Sequence, residues 1–370
     1  MRIGILTFHF GNNYGGILQC YALQQVVRSL GHEVEIINFR PQSGRTLKHI
    51  MGRLREQPSL ASILRLVREN YCAKKDTDPK LQDKKETSIA VCNTFREKYL
   101  KLSAPLDEET IGEYTNAHYD MIIVGSDQVW TSFYDRVPVY FMGWEPAFHG
   151  RKMSYAACSA YTKVSGRRSI ELARLLKSFD KLTVRDGSTA QLVKTLTGTA
   201  PQIVPDPSLL YDYSEFQEAE IVPVEPYILT YILGDEIEGG HQAALQKIKN
   251  EVGEMPVYAI SIPGLGADIH PLADKVFSTL FPEEWVAMFR HAAYVYTDSF
   301  HAVMFSLKFG IPFTAYYRNM TRSSRMLDLK ERGITTIYGS VAEMQVSPDV
   351  QDSAGCLVEG FDFNQFFKTT

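Results

Sequence analysis

A chain of 370 residues with 45% apolar content and a formal net charge of -4 exceeds what one hydrophobic core usually supports, so two domains are expected. The mild acidity offers no global field for a polyanion, which argues against nucleic acid as a partner. The five cysteines, Cys20, Cys72, Cys92, Cys158 and Cys356, are odd in number and never spaced C-x-x-C, so neither a disulfide framework nor a metal site is expected and a reducing compartment suits them. The opening MRIGILTFHF lacks the pattern of a signal peptide, and no apolar run reaches membrane-spanning length, so a cytoplasmic location is expected.

The chain opens as a βαβ unit. Ile3 to Phe8 reads as a buried strand, Gly11 to Gly16 as a loop, Leu18 to Leu30 as a helix ended by Gly31, and Val34 to Asn38 as a second strand. Residues 45–100 mix basic residues with leucine and isoleucine and predict a helical insertion. Within it, Leu47 to Lys75 suits either packing on the first domain, the preferred reading, or peripheral contact with an anionic membrane. Strands are predicted again at Tyr119 to Val124, Met153 to Ala157 and Lys181 to Arg185, each followed by a loop rich in Gly, Ser or Asp.

The prolines between Gly198 and Pro207 predict a domain edge near residue 200. A second series follows, with strands at Tyr227 to Leu233, Val257 to Ser261, Tyr294 to Thr297 and Phe313 to Tyr316. Helices are expected near 239–252, 283–291, 300–309 and 323–333. Alternation of strand and helix predicts an α/β fold of two Rossmann-like domains, 1–200 and 201–345, with a cleft between them. The aromatic-rich tail, 346–370, is expected to cross back towards the first domain.

Ligands of open parallel sheets bind beyond the carboxyl ends of the strands, so residues just after strands are the candidates. His9 to Gly16 has the glycines and asparagines that let backbone N–H groups aim at an anion or a sugar, although a plain turn is equally consistent. Ser126 and Asp127 follow the next strand, where Asp127 serves either as a helix cap or as a holder of a sugar hydroxyl. Arg185 ends another strand and suits an anion, because a guanidinium stays charged and grips oxyanions with parallel hydrogen bonds. Asp206, between two prolines, is expected to satisfy local backbone. The densest cluster is Thr297-Asp298-Ser299-Phe300-His301, with Arg318, Arg322 and Arg325 following the next strand. A histidine in a first helical turn feels the positive dipole end, which favours the neutral imidazole.

Six segments in order resemble the polysaccharide pyruvyl transferase family. They are Asn13-Tyr14-Gly15-Gly16-Ile17-Leu18-Gln19 with Tyr21-Ala22-Leu23-Gln24, Val124 to Trp130, Ser154-Tyr155-Ala156-Ala157, Val184-Arg185-Asp186, Asp206-Pro207-Ser208-Leu209-Leu210, and Thr297 to His301. The resemblance implies a GT-B-like fold, phosphoenolpyruvate as co-substrate without other cofactor, and a pyruvate ketal on a sugar of a surface polysaccharide or its lipid-linked precursor. It places His301 on the catalytic histidine and Arg185 on an arginine contacting the donor. Many relatives carry an arginine where this chain has Ser299, so Arg318, Arg322 or Arg325 is expected to supply that charge.

The expected site therefore has His301, Arg185 and Asp127 as catalytic residues. Arg185, Ser299, Phe300, His301, Arg318, Arg322 and Arg325 are expected on the donor side. Asn12, Asn13, Tyr14, Gly15, Ser126, Asp127 and Asp298 are expected on the acceptor side, with Tyr14 stacking on a sugar face. The rival readings are a GT-B glycosyltransferase using a nucleotide sugar and an inactive glycan-binding relative.

Overall fold

The structure, a computed structural model, describes residues 1–40, 79–131, 137–159, 161–164, 166–318 and 320–368. The side chains of residues 320–323 and 368 lie outside that description. So does the stretch from Leu47 to Lys75, and with it the expectation of membrane contact there.

The first lobe begins with β1 (Arg2–Leu6), α1 (Tyr14–Ser29) and β2 (Glu33–Ile36). α1 starts four residues before the expected Leu18. The Asn13 side chain accepts a hydrogen bond from the Gly16 amide at 3.2 Å, and this cap draws Gly15 and Gly16 into the first turn despite the entropic cost of glycine there. Tyr14, Gly15 and Gly16 of the expected glycine loop are thus helix, and Gly11 to Asn13 remain loop. Then come α2 (Pro79–Tyr99), α3 (Ile111–His118), β3 (Met121–Val124), β4 (Arg151–Ser154), α4 (Gly166–Leu176), β5 (Thr183–Val184), α5 (Gly187–Thr197) and β6 (Gln202–Ile203). The parallel order is β2-β1-β3-β4, extended to the short β5-β6 pair by bridges between Met153 and Lys181 and between Ala157 and Val184. β6 pairs with β5, so the proline-rich stretch begins inside this sheet.

The second lobe runs β7 (Ile228–Tyr231), α6 (His241–Val252), β8 (Val257–Ile260), β9 (Lys275–Phe277), α7 (Pro282–Arg290), β10 (Tyr294–Thr297), α8 (Phe300–Phe309), β11 (Phe313–Tyr316), α9 (Met320–Glu331) and β12 (Ile337–Tyr338). Its order, β12-β11-β10-β7-β8-β9, is the Rossmann order 3-2-1-4-5-6 with β7 as strand 1. β9 and β12 are additions to the expected set. Each has only three or two residues, too few for alternation to register.

The lobes share core. Tyr14 of α1 stacks on Trp285 of α7 at 6.1 Å, and its hydroxyl donates to the Leu280 carbonyl at 2.9 Å. Phe305 of α8 packs on both Trp285 and Tyr213. Two short helices close the chain, α10 (Gly355–Val358) and α11 (Phe363–Lys368). Phe363 and Phe366 pack on Tyr155 of the first lobe, and the Lys181 ammonium donates to the Phe366 carbonyl at 2.8 Å. Strand order reverses between β1 and β3 in one sheet and between β7 and β10 in the other, which is where open sheets place their ligands. Helices α1 and α8 leave these two reversal points with their N-termini in contact.

Candidate active site

Gly15 and His301 make that contact. A β-carbon built on Gly15 would lie 2.2 Å from Cγ of the His301 ring, so the absence of a side chain is what admits the imidazole. His301 stands in the first turn of α8, only 4% exposed, and among the described residues its Nε2 has no hydrogen-bond partner. Burial lowers its pKa; the acidic Asp127 and Asp206 pull it up, and Arg185 and Arg325 push it down. The direction is the expected one, with desolvation as the largest cause.

Asp127 follows β3 in a left-handed backbone conformation, φ 71°, which costs about 1 kcal/mol for a non-glycine residue. Gly125 before it has φ +115°, and any β-carbon there would meet the Tyr155 carbonyl oxygen at 2.2 Å. This turn sends the Asp127 carboxylate inward to accept from Arg185 Nη2 at 3.0 Å. Burial pushes the carboxyl up, and the charges of Arg185, His301 and Arg325 outweigh it, holding it down at about 2. Ion pairing, and not helix capping, is the work this side chain does.

Arg185, at the end of β5, is 2% exposed. Nη1 donates to Asp206 Oδ2 at 2.7 Å, and Nη2 to Asp127 and to the Cys158 sulfur at 3.0 Å. The Phe300 ring covers the guanidinium at 4.2 Å. The expectation of an arginine open to an anion is not what this geometry provides: two carboxylates already pair with the guanidinium, and among the described residues Nε is its one nitrogen without a partner. Asp206 fulfils its expected local role, accepting from the Ser208 amide at 3.0 Å, and also anchors Arg185.

Arg325, on α9, is a cationic side chain with unspent capacity among the described residues. It is half-buried, its guanidinium lies 5.6 Å from the Phe300 ring, and among the described residues it makes no hydrogen bond or ion pair. It acts electrostatically on Asp127, His301 and Cys158. Arg318 is elsewhere, exposed and donating to the Glu236 carbonyl at 2.8 Å, because β11 ends on the side of the β7–α6 loop. The Arg322 side chain lies outside the described residues. Ser299 occupies the N-cap of α8 without a side-chain cap bond; its amide donates to Thr297 Oγ1 at 3.0 Å.

Several expected acceptor residues have structural employment. Tyr14 is 1% exposed and bonded across the lobes, so no sugar can reach its ring. Ser126 is buried, and its hydroxyl donates to Gln19 Oε1. Asn13 caps α1, while Asn12 Nδ2 donates to Ser88 Oγ at 3.3 Å. Asp298 accepts from the Leu233 amide at 2.7 Å, with its other oxygen against Gly234, tying the ends of β10 and β7.

Residues that went unread in the sequence complete the frame. Arg96 of α2 donates to the carbonyls of His9 and Gly11, at 3.2 and 2.9 Å, and so holds the loop after β1. Its distance along the chain hid it. Asp186 caps α5 through the Thr189 amide at 2.7 Å, a role open to it because a carboxylate accepts from the free amides of a first helical turn. No group of metal-ligating side chains occurs among the described residues, nor does any helix long and apolar enough to cross a membrane.

Two parallel-sheet lobes joined by a crossing C-terminal segment, with the site where both sheets reverse, define the GT-B-like class. Residues 13–319 match the polysaccharide pyruvyl transferase model, and the chain belongs to that family. No curated protein is significantly similar to it. Among solved structures, the UDP-GlcNAc 2-epimerase of Methanocaldococcus jannaschii is similar at TM-score 0.52 and 10% identity, covering 91% of this chain and 88% of its own. A structure described as a UDP-N-acetylglucosamine 2-epimerase from Listeria monocytogenes has TM-score 0.50 and 10% identity, covering 100% and 97%. At this identity the likeness is one of fold.

Proposed function

We propose that this chain transfers pyruvyl from phosphoenolpyruvate to two hydroxyls of one sugar, forming a ketal, in the making of a surface polysaccharide or its lipid-linked precursor. The observation that carries the reading is His301, buried with a bare Nε2 beside Asp127 and within the field of the unpaired Arg325. Family membership supplies the substrate class.

The chemistry asks for one proton in and two out. Protonation of the donor's methylene carbon makes its neighbour cationic, and a sugar hydroxyl attacks there and loses its proton. The C–O bond to phosphate then breaks, and the second hydroxyl closes the ring. Of the two hydroxyl protons, one replaces that used to make the methyl group and the other leaves with phosphate.

In this reading His301 carries the proton. Free, it is neutral, and an arriving anion raises its affinity for a proton, so the group becomes an acid when its substrate is present. Arg325 and the N-terminus of α8 receive the donor's charge. Asp127, kept ionised by Arg185, stabilises the cationic carbon and accepts from a sugar hydroxyl. Asn12 through its bond to Ser88, Gly15 through the room it leaves for His301 and Asp298 through the Leu233 amide shape the acceptor side rather than touch sugar. The reading puts the protein in the cytoplasm, and at the inner face of the membrane where the acceptor is lipid-linked.

The test is phosphate release from phosphoenolpyruvate over galactose, mannose and hexosamine acceptors, with mass spectrometry of the products. A mass gain matching a pyruvate ketal is expected. Release of a nucleoside diphosphate from a nucleotide sugar, with none of phosphate, would replace this reading with a glycosyltransferase.

A further inference from the structure

α9 belongs to the second lobe in sequence and sheet, yet one face of it is bonded to the first. Asp328 Oδ1 accepts from the Gly187 amide at 2.7 Å. Gly187 is the first residue of α5, whose own cap, Asp186, takes the Thr189 amide and the Ser188 hydroxyl. The two acids divide the free amides at that helix end, one from each lobe. Arg332 then donates to the Arg185 carbonyl at 3.3 Å and lies 3.6 Å from Asp328 Oδ2. The spacing 325, 328, 332 puts three side chains on one face of a helical turn and its continuation.

We propose that Asp328 is a positioning residue: it caps α5 from across the lobes and thereby holds α9 where Arg325 lies against the Phe300 ring and within electrostatic reach of His301. The role rests on the pyruvyl-transfer reading for its consequence, though not for its geometry. A cap from the partner lobe suits a site assembled from both, since Arg185 and Asp127 come from the first and His301 and Arg325 from the second. Arg332 fastens the same corner by holding the carbonyl of the residue that fixes Asp127. The bond needs only an acceptor oxygen. Burial raises the Asp328 carboxyl's pKa, and Asp186 adds to the rise, while Gly187 and Arg332 oppose it; an uncharged amide is therefore tolerated there.

The experiment compares Asp328→Ala, Asp328→Asn, Arg325→Ala and the Asp328→Ala/Arg325→Ala pair by steady-state phosphate release and by amide hydrogen exchange. Asp328→Ala is expected to raise the KM for phosphoenolpyruvate about 10-fold with kcat changed less than about 3-fold. Asp328→Asn should stay within about 3-fold of the parent in both. In the Arg325→Ala background the alanine at 328 should add less than about 2-fold, because the residue it positions is gone. Exchange should quicken in residues 324–331 and 187–189 of Asp328→Ala. Penalties that multiply in the double variant, or exchange unchanged at both places, overturn the proposal. If the unaltered protein releases no phosphate from phosphoenolpyruvate, the functional reading fails alone, and the exchange comparison still decides whether Asp328 docks α9.

Discussion

Gly15 and His301 touch so closely that no side chain fits at position 15 beside the imidazole: the missing side chain of one is the space occupied by the ring of the other. The glycine stands in the first turn of α1 and the histidine in the first turn of α8, so this contact joins the two lobes at their reversal points. Gly15→Ala should therefore displace the imidazole even though alanine favours helix. We expect at least about a 100-fold fall in kcat/KM, with a stability change no larger than about 1–3 kcal/mol. Steady-state kinetics paired with denaturant unfolding separates the effects, and an alanine variant with parental kcat/KM would show that the ring's present placement is immaterial.

Phosphoenolpyruvate binding should take up protons. Burial holds the free His301 below the ordinary histidine pKa, and an anion placed beside it raises that value. Between the free and bound values the complex holds more protons than the separate partners. Calorimetry in buffers of different ionisation heat should report net proton uptake at pH values between the two, and His301→Gln should abolish it. Proton release, or uptake unaltered by the substitution, contradicts the assignment.

Asp127 should make folding acid-sensitive. Its carboxyl is held at about 2 in the fold against an ordinary 3.8. A depressed carboxylate contributes stability above the unfolded value, and the contribution is lost as pH falls from near 3.8 through about 2. That contribution is on the order of 2 kcal/mol. The stability difference between the parent and Asp127→Asn should be full at pH 6 and shrink across that window, as followed by urea unfolding. A difference constant down to the lowest pH would mean that the Arg185 pair does not set this titration.

Tyr14→Phe should be a stability variant. It deletes a buried hydrogen bond between lobes, leaving the Leu280 carbonyl unpaired, at a cost of about 1–3 kcal/mol. With the ring already buried on Trp285, the KM for any sugar acceptor should move less than about 2-fold. A larger change in acceptor KM with unaltered thermal stability would restore Tyr14 to the acceptor site.

Most strands could be read from the chain because buried parallel strands are short apolar runs punctuated by Gly, Pro and Asp. The runs at Ile3, Met121, Ile228 and Tyr294 all pair as parallel strands. The misread elements were those where a local rule met a stronger one. A cap at Asn13 overruled two glycines, and sheet edges at β9 and β12 were too short to show a period.

By itself, the sequence determined the alternation of strand and helix, the two-lobe architecture, and the positions just after strands where Asp127, Arg185 and His301 stand. Those are properties of neighbours along the chain, and periodicity, turn chemistry and ordered motifs record them. Which charges remain to be used was decided only in three dimensions. Asp127 and Asp206 reach Arg185 from 58 and 21 residues away and pair with it, while Arg325 is left unpaired among the described residues; no local pattern encodes that division, because an ion pair depends on distance through space and on the water excluded around it.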